Sequence, residues 1–121
     1  MVNKLIYPQE IEVWHILPSI RRALALQMIK KGIEQKKIAS LLGVTESAIS
    51  QYLSKKRASE ITFNRKLKKE ILISANKILK NRELALSEIQ HILNLPEIKE
   101  KICVIHKKYK GVKNNCNICL Q

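Results

Sequence analysis

Cys103, His106, Cys116 and Cys119 stand in the order C-x2-H-x9-C-x2-C in this chain. Thiolates and an imidazole are soft to borderline donors, and four of them in two closely spaced pairs are enough to close a tetrahedral zinc site. A binuclear or cubane iron–sulfur cluster is the other candidate, held by the thiolates with His106 or an outside group as the remaining ligand. Cys103 and His106 each have a plainer use, the first as a small buried apolar residue and the second as a helix residue near a negative helix end. The terminal pair, Cys116 and Cys119, favours a metal, because little else nearby would hold that segment. A dithiol–disulfide switch is disfavoured, since the pair lacks the strand-to-helix setting of the thioredoxin type. The cysteine count is odd and none lies before residue 103, so a disulfide framework explains them poorly.

The second stretch with chemistry in it runs from Gln35 to Leu53. Ile38, Leu42, Ile49 and Leu53 have the spacing of two short amphipathic helices, and Gly43 lies between them where a tight turn needs a positive backbone angle. Ala39 is small where the helices would cross, and Val44 and Ile49 fill the wedge between them. Thr45 is a good N-cap for a second helix over Glu46 to Leu53. Its outer face is then Thr45, Glu46, Ser47, Ser50 and Gln51. Short polar side chains at the start of such a helix reach base edges in a major groove, and a glutamine can pair with adenine in bidentate fashion. Lys55, Lys56 and Arg57 follow directly and suit the flanking phosphates, as does the amide of Gln35 at the start of the first helix.

The elements that must position these groups are read from periodicity. Pro18 suits the first turn of a helix in which Ile20, Ala23, Leu24 and Met28 recur at steps of three and four, with Gly32 as its left-handed stop. Phe63, Leu67, Ile71, Ala75 and Ile78 form one stripe between about Thr62 and Lys80. Ser87 and Gln90 make a capping-box pattern for a short helix to Leu93. Pro96 opens a helix to about Tyr109, in which Ile98, Ile102, Ile105 and Tyr109 form the apolar stripe, with Cys103 and His106 beside it rather than in it. Ile11, Val13, Trp14, Ile16 and Leu17 form a cluster too apolar for a free tail, so it should pack on the body of the domain. Their spacing leaves helix and strand both open.

Composition agrees with helices. The 121 residues are 45% hydrophobic and 27% charged, with only three glycines, three prolines and few aromatics, which is globular and poor in the residues that sheets and their turns require. All acidic residues are glutamates, and 23 Lys and Arg against 10 Glu give a formal net charge of +13. A polyanionic partner follows from that excess. No apolar run reaches the ~18–20 residues of a membrane span, and no secretory signal is evident, so the expected location is the cytoplasm. Catalysis is disfavoured: there is no Gly-rich phosphate loop and no nucleophile–base–acid set, and His15, His91 and His106 are scattered. No small-molecule substrate is expected.

Gln35, Ala39, Gly43, Val44 and Ile49, with Ser50-Gln51-Tyr52 after them, resemble the helix-turn-helix of the phage-repressor and Cro family. That resemblance covers about half the chain. It implies an all-α fold of four to five helices over residues 1–82, carrying a sequence-specific regulator that binds double-stranded DNA as a homodimer. The run Leu17-Pro18-Ser19-Ile20-Arg21-Arg22, taken with the late cysteines, resembles small archaeal predicted transcriptional regulators with a cysteine-bearing C-terminus. This second resemblance makes residues 83–121 a short helical, metal-binding appendage and leans toward iron–sulfur, whereas the spacing alone leans toward zinc. The rival to a sequence-specific regulator is an RNA-binding or nonspecific nucleic-acid-binding protein that uses the same charge without base readout.

Overall fold

The computed structural model describes residues 5–54 and 61–108, and these form helices joined by short turns, with no strand among them. Lys55, Lys56, Arg57, Tyr109, Cys116 and Cys119 lie outside the described residues.

The N-terminal segment is helical, which resolves the choice the spacing left open. Helix α1 (Pro8–Ile11) begins with proline at its first position, and the Glu10 carboxylate accepts a hydrogen bond from the Tyr7 N–H at 3.1 Å. A π-helical turn over Glu12–Ile16 then leads without a break into α2 (Leu17–Lys30). Pro18 stands in the first turn of α2, as its position in the sequence suggested, but α2 continues out of the π-turn instead of starting freely. Proline has no N–H, and in an α-helix its ring meets the carbonyl four residues back, here that of Trp14. Widening the preceding turn, so that the Leu17 N–H reaches the Glu12 carbonyl, lets the chain pass Pro18 and stay helical. Ile11 and Ile16 are buried, but Val13 and Trp14, expected to pack with them, are 60% and 44% exposed.

Helix α2 ends as expected. Gly32 has φ +83°, its N–H bonds to the Ile29 carbonyl at 2.9 Å, and the Ile33 N–H bonds to the Met28 carbonyl at 3.2 Å. Those two bonds satisfy carbonyls that a helix end otherwise leaves open. Helix α3 (Gln35–Leu42) and α4 (Glu46–Leu53) follow, then α5 (Arg65–Lys80). The start of α5 is set by Asn64, whose Oδ1 accepts from the Leu67 N–H at 2.9 Å, so Phe63 precedes the helix and half-buries against the core instead of lying on its stripe. Asn64→Ala is expected to cost about 1 kcal/mol of stability, read as a lower urea midpoint with unchanged slope.

Asn81 opens a 3-10 turn (Arg82–Leu84), accepting from the Glu83 N–H, and this turn runs straight into α6 (Ala85–Leu93). Ser87 is consequently inside the helix, where its hydroxyl donates to the Leu84 carbonyl at 3.1 Å. The expected capping box at Ser87 is absent, because the chain is already helical there: Asn81 caps the 3-10 turn that feeds α6. Helix α7 (Pro96–His106) starts on its proline as expected.

Isoleucines from every part of the described chain meet in one core. Ile11, Ile16, Ile20 and Leu24 pack with Ile38 and Ile49, with Ile71 and Ile78, and with Ile92 and Ile98. Helices α6 and α7 thus contribute to the same apolar cluster as α2 to α5. Around it, the Ser74 hydroxyl donates to Glu88 at 2.9 Å between α5 and α6, and Lys66 pairs with Glu97 at 2.6 Å between α5 and α7. The hydrogen bond from Lys66 holds the Glu97 carboxyl below its ordinary range. The pair is solvated and therefore adds little to stability. No helix among the described residues is long and apolar enough to cross a membrane.

Candidate nucleic-acid interface

Helices α3 and α4 are joined by a turn whose geometry is set by Gly43. Its φ of +68° and ψ of +35° are left-handed, and both its own N–H and that of Val44 point at the Ala39 carbonyl. This reverses the chain within a few residues, as expected from a glycine after Leu42. Thr45 then caps α4: its Oγ1 accepts from the Ala48 N–H at 3.1 Å.

The two faces of α4 separate by character. Ala48, Ile49 and Tyr52 are buried at 6%, 0% and 1% exposure, and Ala39 is buried across from them at 6%. Glu46, Ser47, Ser50 and Gln51 are exposed, as is Thr45 before them. At 100° per residue these four helical positions fall within one side of the helix. Gln35, Lys36 and Lys37 are exposed on the first turn of α3. All the expected base- and phosphate-facing residues among those described therefore lie at the surface, and the wedge residues lie beneath.

Two side chains at this site were given no role in the sequence analysis beyond their place in the two resemblances. Tyr52 is among the largest fully buried side chains. Arg22, on α2, donates from Nε to the Tyr52 carbonyl at 3.1 Å. That carbonyl belongs to the open, negative end of α4, so the cation both satisfies an acceptor and complements the helix dipole. Arg22 is thus a positioning residue for α4. A pairing across 30 positions leaves no local signal in a chain this rich in arginine and lysine.

Cys103 and His106 are three residues apart on α7 and are 4% and 8% exposed. They are core-facing, contrary to the expectation that they stand clear of the buried stripe. The N-terminal segment accounts for this: α1 packs on α7, and His106 Nε2 hydrogen-bonds to the Ile6 carbonyl. A carbonyl can only accept, so in the neutral ring Nε2 carries the proton and Nδ1 the lone pair. Among the described residues no three candidate ligands come together. The expected partners Cys116 and Cys119 lie outside that set.

No family model, curated protein or solved structure matches the chain.

Proposed function

We propose that this protein is a sequence-specific regulator that binds double-stranded DNA by inserting the exposed face of α4 into the major groove. The observation that carries the reading is the division of α4 into a locked inner face, with Ala48, Ile49 and Tyr52 in the core, and a polar outer face of Thr45, Glu46, Ser47, Ser50 and Gln51. A rigid helix presenting an amide, two serines and a carboxylate has the donors and acceptors that base edges require. Glutamine suits adenine, and a glutamate accepts from the cytosine amino group. Gln35, Lys55, Lys56 and Arg57 supply phosphate contacts, and the net charge of +13 supplies the salt-dependent part of the affinity. The reading includes a homodimer on two half-sites about one helical turn apart.

Selection from a random duplex library, followed by competition against random DNA, tests it. A groove-reading protein should prefer its selected site by roughly 10³-fold or more. In that assay Gln51→Ala is expected to weaken the selected site by about 1–3 kcal/mol and to leave random duplex nearly unchanged. Equal losses on both DNAs would remove Gln51 from base readout. Lys56→Ala should weaken both alike and reduce the salt slope by about one. The excess charge equally favours a second reading, a nonspecific or RNA-binding protein, which would show the salt dependence with no preferred duplex.

A C-terminal metal centre belongs to the proposal. Cys103 and His106 share one face of α7, and the bond from Nε2 to the Ile6 carbonyl orients the ring with Nδ1 as the donor nitrogen, the arrangement by which proteins commonly fix a metal-bound imidazole. These two residues fit half of a zinc or iron–sulfur ligand set, with Cys116 and Cys119 as the remainder. Zinc would tie the end of α7 to the following segment, and an iron–sulfur cluster would add redox sensitivity.

A further inference from the structure

A groove of about 360 Å³ lies between α2 and α5, beside the segment that enters α5. Its floor is apolar, made by Leu26, Phe63 and Ile71, and its rim carries Arg22, Lys30 and Lys68. No carboxylate is among its described lining residues. A second cavity of similar size, between the same entering segment and α7, has Glu97 and Glu100 beside its lysines, whereas the described charged side chains of the α2–α5 groove are all cationic. We infer that this groove binds a small organic anion, one planar apolar ring system bearing a carboxylate, sulfonate or phosphate, and that the ligand acts on α4 through Arg22.

The volume is at the small end of the range for ligand sites, enough for one ring system and an acidic group. The apolar floor gives a ring something to cover, and the three cations give the acid its partners. A DNA backbone would use the cations but not the floor, which is why a small ligand fits the groove better than a phosphodiester. Arg22 joins the groove to the proposed interface. Its Nε–H is engaged by the Tyr52 carbonyl at the end of α4, and a guanidinium has further N–H donors on the same rigid plane. An acid held by those donors draws on the same side chain that closes α4. This regulatory part rests on the reading of α4 as the DNA-contacting helix; the binding site does not.

The test uses the full chain and 8-anilinonaphthalene-1-sulfonate, first without DNA. Fluorescence is expected to saturate at one probe per chain. Lys68→Glu and Phe63→Ala should each raise the apparent Kd at least fivefold, with helicity by circular dichroism retained. Lys108→Glu makes the same change of charge at the other cavity and should leave the Kd unchanged. Lys68 is exposed, so its variant keeps the test decisive even where Phe63→Ala loosens the core. Unsaturable binding, or equal effects of Lys68→Glu and Lys108→Glu, would overturn the site. Lost affinity for random duplex in Lys68→Glu with probe binding intact would make the groove a backbone contact and overturn it as well. With DNA added, saturating probe should change affinity for the selected duplex at least threefold in the parent and not in Lys68→Glu; an unchanged affinity would overturn the link through Arg22. Probe binding without any selectable duplex would uphold the groove and sink the reading of α4.

Discussion

Gly43→Val is expected to lower fold stability by roughly 1–3 kcal/mol and to abolish binding to the selected duplex, whereas Gly43→Asn should restore most of both. At Gly43 a Cβ would meet no heavy atom within 4 Å, so the cost of substitution lies wholly in the backbone, at φ +68°. A β-branched side chain in that region collides with its own main chain, while asparagine visits it routinely. Valine therefore drives φ negative, and the N–H groups of residues 43 and 44 lose their aim at the Ala39 carbonyl. The angle between α3 and α4 then changes, and with it the presentation of Ser50 and Gln51. For a chain of this size the expected fall in Tm is about 4 °C per kcal/mol. Thermal melts of the three proteins beside a competition gel give the readout. A valine variant that melts and binds like the parent would show that the turn does not set the interface. An asparagine variant as damaged as valine would show that something other than φ is at stake there.

The parts of the fold that were legible in advance are those decided by a few adjacent residues. Gly32, Gly43, Thr45 and Pro96 each act on one backbone angle or one orphan N–H, and each sits in the structure where its local chemistry puts it. The inner and outer faces of α4 were legible for the same reason, since an eight-residue helix with alternating apolar and polar arcs has one sensible orientation. What was not legible depends on distant partners. Pro18 opens α2 as read, but nothing local shows that α1 feeds into it through a π-turn. Ser87 reads as a cap until Asn81 is seen to cap first. Arg22 is one of many cations until the end of α4 comes to rest beside it. His106 looks solvated until a carbonyl 100 positions earlier in the chain covers it. Val13 and Trp14 misled in the opposite sense, because an apolar cluster shows that something is buried without showing which of its members.

Cys116→Ser is expected to reduce bound metal from about one centre per chain to near none while α2 to α5 remain folded. Cys103→Ala would be a poorer probe, because Cys103 is 4% exposed and packs beside the core, so its loss mixes a cavity with a missing ligand. The burial of Cys103 and His106 sharpens the expectation for chelation. A metal held by these two buried side chains would draw the end of α7 into the centre, so stripping it should loosen the packing there. Structural zinc in small peptides contributes ~10–16 kcal/mol of apparent binding free energy. The core of this chain is an apolar cluster drawn from all the helices, so the coupling is expected to show as a lower melting temperature of the α1–α7 contact rather than as global unfolding. Zinc would make the anaerobically purified protein colourless, with one ion per chain. An iron–sulfur cluster would make it brown, with visible absorption that bleaches in air and an accompanying change in DNA affinity. Metal content, the visible spectrum and hydrogen exchange at Ile6, Cys103 and His106 before and after chelation decide between them. A parent free of metal after reducing, anaerobic purification would sink the centre, and so would full metal retention in Cys116→Ser. Either result would leave Cys103 and His106 as the packing residues that hold α1 against α7.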